Sequence, residues 1–217
     1  MGKLDGKISI ITGASSGIGK GIALAFAREG SSVVIAARSA EKLQAIAETI
    51  QASGGTALVV PTDVRDEAQI DALFAKTMER FGRLDILINN AGLLGGAPID
   101  EFPSERWNDV VAVNLTAPFL CTRAAFRIMK AQGGGRIINI GSISAQRVRL
   151  NSAAYSATKH GLWGLTQVTA LEGRPHGIVC SCLHPGNVLT EARAARGRDI
   201  DAEPMMTMEA CADAAVF

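Results

Sequence analysis

Aromatic side chains are scarce in this chain. Only 5% of its 217 residues are Phe, Trp or Tyr, and Tyr155 is the one tyrosine. Nothing here offers the stacked platform that a nucleic acid strand requires. Charge of one sign is also missing. Twenty-two Lys and Arg stand against 21 Asp and Glu, for a net charge of +1, and no basic run draws in a phosphate backbone. No apolar run approaches the roughly 20 residues of a membrane helix. The opening Met1-Gly2-Lys3-Leu4-Asp5-Gly6 has no signal-peptide apolar core, and position 6 lacks the Ser or Thr that myristoylation prefers. Four cysteines are scattered at 121, 180, 182 and 211. Cys180 and Cys182 stand at i and i+2 of a strand-like run, which suits small buried residues better than a disulfide or a metal site. These absences point away from nucleic acid and membrane partners. They predict a soluble, reduced, cytoplasmic protein without a metal.

What is present is globular. Apolar residues make up 47% and charged residues 20%, and the length suffices for one well-buried domain spanning 1–217. Short apolar runs alternate with helical periodicity. Ile8–Ile11, Ser32–Ala37, Ala57–Val60, Leu84–Ile88, Ile137–Ile140 and Ile178–Leu183 read as buried strands. Between them lie helical stretches. One covers 17–29 and ends at Gly30. A second carries Leu43, Ile46, Ala47 and Ile50 and stops at Gly54-Gly55. A third starts from the capping-box pair Asp66 and Gln69 and ends at Gly82. A fourth covers 104–131, where Pro118 is expected to break or kink it, and a fifth covers 153–171. This alternation predicts an α/β fold, a doubly wound parallel sheet of Rossmann type with helices on both faces. The segment 187–208 is polar and Arg-rich, and reads equally as a mobile lid or a solvated surface helix.

Thr12-Gly13-Ala14-Ser15-Ser16-Gly17-Ile18-Gly19 joins the first strand to the first helix. Its glycines allow a tight turn and close approach of a pyrophosphate to the helix N-terminus. Gly13 to Gly17 also matches the G-x-S-x-G elbow of hydrolases. That elbow normally follows several strands, whereas this one follows the first. After the second strand comes Arg38, where an acidic residue would bind the ribose hydroxyls of NAD. A guanidinium there neutralises the 2′-phosphate of NADP, so NADP is favoured over NAD.

Tyr155 and Lys159 stand at i and i+4 of a helical stretch, on one face. A free phenol, with pKa near 10, is a poor proton exchanger at neutral pH, and a nearby ammonium stabilises its phenolate. Ser142 lies just past the fifth strand, at the sheet end where ligands bind in such folds.

Together these residues resemble the short-chain dehydrogenase/reductase family over nearly the whole chain. The family's T-G-x-x-x-G-I-G pattern falls on Thr12 to Gly19, its N-N-A-G on Asn89 to Gly92, and its P-G-x-V-x-T on Pro185 to Thr190. The resemblance implies a catalytic set of Asn114, Ser142, Tyr155 and Lys159. Tyr155 would exchange the proton, Lys159 would lower its pKa and bind the nicotinamide ribose, Ser142 would orient the substrate oxygen, and Asn114 would hold a water. The implied cofactor-binding residues are Gly13, Ser15, Ser16, Gly17, Ile18, Gly19, Arg38, Asp63, Val64, Asn90, Ala91, Gly92, Tyr155, Lys159, Pro185, Gly186, Val188 and Thr190. Also implied are a homodimer or homotetramer and a seventh strand, and no run in the chain reads as that strand. Two other functions share the fold: a nucleotide-binding regulator, and a lyase or epimerase without net oxidation. Residues 93–103, 143–151 and 187–208 are the expected substrate walls. They mix Leu93, Leu94, Phe102, Val148 and Leu150 with Arg147 and Arg149, which leaves the substrate open.

Overall fold

The six apolar runs form one parallel sheet in a computed structural model that describes residues 2–194 and 205–216. The strands are β1 (Ile8–Thr12), β2 (Ser32–Ala37), β3 (Ala57–Pro61), β4 (Ile86–Asn89), β5 (Gly135–Ile140) and β6 (Ile178–Leu183). Their order is β3-β2-β1-β4-β5-β6, with in-register parallel pairing throughout. The helices are α1 (Gly17–Arg28), α2 (Ala40–Ala52), α3 (Glu67–Phe81), α4 (Ser104–Val111), α5 (Ala117–Gln132), α6 (Ala153–Gly173), α7 (Glu191–Ala194) and α8 (Met208–Val216).

Alternate strand residues feed opposite faces, because successive side chains point to opposite sides of a strand. Ile11, Val33, Ile35, Ile86 and Ile88 pack under α1, α2 and α8, around Phe26, Leu43 and Ala212. Their neighbours Ile10, Val34, Leu87 and Ile137 pack under α3 and α5, around Leu73, Phe74 and Met129. Both faces are covered, so β1 and β4 are buried along their whole length. Each fully buried Ile or Leu contributes about 1.5–3 kcal/mol relative to exposure.

Several boundaries depart from the pattern reading. β4 begins at Ile86 and not at Leu84, because Asp85 has another task. Its carboxylate accepts the Ile8 N–H at 2.9 Å and pairs with Arg83. Asp66 caps α3 as expected, accepting from the N–H groups of Ala68 and Gln69. Gln69, however, reaches back to the Asp63 N–H at 2.9 Å, because the Asp66 N–H already donates to the Asp63 carbonyl. Pro118 is not a break. It sits in the first turn of α5, where a missing N–H costs little. The irregularity lies just before it: Ala112–Thr116 forms one wide π-helical turn, closed by the Ala117 N–H on the Ala112 carbonyl.

After β6, among the described residues, come α7, an isolated bridge between Val188 and Met206, and α8, which lies on α1. No seventh strand occurs among the described residues, and β6 pairs with β5 alone. The lid or surface helix expected in 187–208 falls largely on 195–204, outside the described residues.

Candidate active site

The strand order reverses direction between β1 and β4, and the loops leaving their C-terminal ends open a crevice there. A cavity of about 660 Å³ occupies it, running from Arg38 and Lys42 past the glycine loop to Tyr155 and Lys159. Eighteen of the twenty residues implied by the resemblance line this cavity; the exceptions are Gly19 and Asn114.

The glycine loop is shaped by what a side chain would strike. Gly13 has φ +65°, and a Cβ there would lie 2.7 Å from the Ala91 Cα. A Cβ on Gly19 would meet the Asn90 amide nitrogen at 2.3 Å. Gly19 therefore serves the cofactor site by letting Asn90 in. Asn90 donates from its side chain to the carbonyls of Thr12 and Gly13, at 2.8 and 3.1 Å. The Thr12 hydroxyl in turn accepts the N–H groups of Asn90 and Ala91. The loop after β4 thus braces the loop after β1.

Asn114, fully buried in the π turn, braces the same segment from its other end. Its amide exchanges two hydrogen bonds with the Leu93 backbone, at 2.7 and 3.0 Å, and donates to the Thr158 hydroxyl at 3.3 Å. Its side chain therefore ties α6 to the loop at 90–93 and does not face the cavity. Pro118 has no N–H to give the Asn114 carbonyl.

Tyr155, Ser142 and Lys159 meet at the far end. The half-buried Tyr155 phenol lies close enough to the Ser142 side chain for that hydroxyl to favour its ionised form. The buried Lys159 ammonium donates to the Ile140 carbonyl at 2.7 Å and sits 5.6 Å from the Tyr155 ring centroid. Burial holds the Lys159 pKa down to about 8. Burial pushes the Tyr155 phenol above its usual 10.0, opposed by the Ser142 hydroxyl and by the charge of Arg149. Against the lowering expected of Lys159, burial sets the direction upward, and the cation that acts on the phenol is Arg149, a residue of the expected substrate walls.

At the opposite end, Arg38, Ser39 and Lys42 gather at the start of α2. Asp63 is engaged by Arg65 at 2.7 Å, and that hydrogen-bonded guanidinium holds its carboxyl below the usual carboxylate range. Between the two ends, the Glu191 carboxylate accepts the Gly17 N–H at 2.9 Å and lies 3.9 Å from Lys20. The loop therefore already holds an anion at the helix N-terminus, where a pyrophosphate would sit. These residues fit a dinucleotide. Pattern reading missed Ser39, Lys42 and Glu191 as individual site residues, and gave Arg149 only as part of a substrate wall. Lys42 carried one signal, its position one helical turn after Arg38.

Among the described residues, no helix is long and apolar enough to cross a membrane, and no group of three His, Cys, Asp or Glu side chains could share a metal ion.

A sheet of this order, with a glycine loop at its switch point and a cluster of Ser142 beyond β5 with Tyr155 and Lys159 in α6, has the form of a nucleotide-dependent oxidoreductase. The chain belongs to the short chain dehydrogenase family, whose family model matches residues 7–201. It is an NAD(P)(H)-dependent oxidoreductase acting on carbonyl and alcohol groups. It is 44% identical over 185 residues to the uncharacterized oxidoreductase YxjF of Bacillus subtilis, covering 85% of this chain and 72% of that one. It is 40% identical over 188 residues to D-beta-hydroxybutyrate dehydrogenase of Cupriavidus necator, covering 86% of this chain and 72% of the relative. The crystal structure of a short-chain type dehydrogenase/reductase from Mycobacterium marinum superposes with a TM-score of 0.91 at 33% identity, over 98% of this chain and 88% of that one.

Proposed function

We propose that the chain works as one unit that reduces a carbonyl, or oxidises the corresponding alcohol, with Tyr155 as general acid and base and NADP(H) as the preferred cofactor. The observation that carries this reading is the convergence of Tyr155, Ser142 and Lys159 at one end of a cavity whose other end is basic. Gly13, Ser15, Ser16, Gly17 and Ile18 would hold the pyrophosphate, Asp63 and Val64 the adenine, and Arg38 the 2′-phosphate. Asn90, Ala91, Gly92, Pro185, Gly186, Val188 and Thr190 would hold the nicotinamide half. The bound nicotinamide supplies or accepts the hydride.

In the reducing direction the Tyr155 phenol donates its proton to the carbonyl oxygen as that oxygen gains negative charge. Ser142 donates to the same oxygen and fixes its position. The Lys159 ammonium, anchored on the Ile140 carbonyl, stabilises the phenolate left behind. In oxidation the phenolate takes the alcohol proton back. Asn114 acts one step removed, by fixing α6 against the loop at 90–93. A homo-oligomer and a cytoplasmic location complete the reading, and the free thiols of Cys121, Cys180, Cys182 and Cys211 agree with a reduced compartment. The deciding assay follows nicotinamide absorbance with a panel of carbonyls and alcohols and both cofactors. No turnover with any pair would overturn the proposal.

Two further outcomes are expected. Because Tyr155 is the one tyrosine in the sequence, the phenolate absorption band reports on it alone. Without cofactor the band should emerge only above pH 10.0, since burial raises this acid's pKa and keeps it protonated. Adding NADP+ should move the midpoint down, because a nearby positive charge favours the phenolate. A midpoint that stays put would count against the placement of the nicotinamide. Separately, Glu191→Gln should tighten NADPH binding about two- to fivefold, by removing a carboxylate that competes for the helix N-terminus. Fluorescence titration would check this, and weaker binding would contradict it.

A further inference from the structure

We propose that Arg149 anchors a carboxylate on the substrate, so that the substrate is a hydroxy or oxo acid and not a neutral alcohol or ketone. The inference rests on the reading of Tyr155 given above and adds the class of molecule presented to it.

The tyrosine end of the cavity is mostly apolar. Leu93, Leu94, Val113 and Ile140 wall it, and two cations interrupt them, Lys159 and Arg149. Lys159 is buried against the Ile140 carbonyl, with its ammonium committed there. The Arg149 side chain is different. It lies at the open side of the same cavity, close enough to Tyr155 for its charge to act on the phenol. One of its N–H groups reaches the Asn187 side chain at a long 3.4 Å. Among the described residues no carboxylate pairs with it, whereas Arg65, in the same cavity, holds both Asp63 and Asp109.

The backbone beneath Arg149 is fixed independently of its side chain. The Ser152 hydroxyl donates to the Arg149 carbonyl at 2.6 Å and accepts the Arg149 N–H at 3.3 Å. Ser152 is itself bonded to Ser156, one turn into α6, at 2.8 Å. The guanidinium is therefore carried on the loop that leads into the helix bearing Tyr155, tied to the N-cap residue of that helix, and its root is held relative to the phenol. A planar fork of donors beside an apolar wall matches a carboxylate in two parallel hydrogen bonds. An uncharged substrate would leave that fork to Asn187 and solvent.

The test compares short 2- and 3-hydroxy acids with their methyl esters, assayed by nicotinamide absorbance in the parent protein and in Arg149→Lys and Arg149→Gln. The readout is the ratio of kcat/KM for acid over ester, which cancels any effect of the substitution on Tyr155 itself. The parent should favour the acids by at least about tenfold. The ratio should approach one in Arg149→Gln and fall between in Arg149→Lys, which keeps charge but loses the fork. Esters turned over as well as acids by the parent, or a ratio unmoved in Arg149→Gln, would overturn the inference and leave Tyr155 chemistry standing. If neither acid nor ester reacts, the oxidoreductase assignment for this panel fails. Calorimetric titration of the NADPH-bound protein with butyrate and butyramide then still decides the point. Butyrate must bind more tightly than butyramide, and only in proteins that retain Arg149. Equal binding of the two would also overturn the anchor.

Discussion

Replacing Tyr155 with phenylalanine should lower kcat/KM by about 10²- to 10⁴-fold, the range expected when a positioned acid–base group is lost. NADPH binding should hardly change. The reasoning is local. Phenylalanine keeps the ring, so the contact with the Lys159 side chain and the packing of α6 survive. What disappears is the hydroxyl and with it the interaction with Ser142. Binding of the dinucleotide depends chiefly on the glycine loop and the basic end of the cavity, both remote from that hydroxyl. The loss should therefore appear in kcat while the NADPH dissociation constant holds. Activity within a few-fold of the parent would remove Tyr155 from the chemistry.

The second large effect concerns Arg38. The parent should bind NADPH more tightly than NADH, and Arg38→Ala should erase about 10- to 100-fold of the NADPH affinity while sparing NADH. That range corresponds to the loss of about 1.5–3 kcal/mol for a hydrogen bond to a charged group. Arg38 is exposed at the end of β2, and no ion pair engages it among the described residues. Its charge is nonetheless felt by Asp63 across the cavity mouth. Arg65, nearby, is already committed to Asp63 and Asp109. Arg38 and Lys42 therefore remain as the cations available to a 2′-phosphate at this end. Fluorescence titration with both reduced cofactors would check the difference, and equal affinities in the parent would refute the NADP preference.

Much of this architecture was legible in the residues alone, for identifiable reasons. A parallel strand buried on both faces must be apolar along its whole length, so Ile8–Thr12 and Ser32–Ala37 announce themselves. Glycines with positive φ at Gly13, Gly17, Gly30 and Gly82 mark turns because other residues are strained there. What stayed hidden depends on distance in sequence. That Asp85 satisfies Ile8 is a contact across 77 positions, and nothing local to either residue encodes it. The family resemblance gives Asn114 a water to hold, yet its amide is occupied by Leu93, 21 positions back. Glu191 looks like an ordinary surface charge in the sequence, and Arg149 is marked there only as part of a substrate wall. They acquire meaning only when folding brings one to Gly17 and the other to the tyrosine end of the cavity. Tyr155 follows the same rule: spacing pairs it with Lys159, but burial, which spacing cannot measure, sets the direction of its pKa.

The wide turn at Ala112–Thr116 has a consequence for how this gene can change. A π turn holds one residue more than the α-helical turn it replaces. Deleting any one residue within it would let the helix close into regular geometry. The helix beyond would keep its phase, because the wide turn absorbs the surplus residue, and only the residues inside the turn would be re-aimed. Asn114 would turn away from Leu93, and Thr158 would lose its tie to the loop that braces the glycines. Substitutions in this stretch act on one side chain at a time, whereas loss of a residue would re-aim the turn that carries Asn114 and leave the rest of the helix in place.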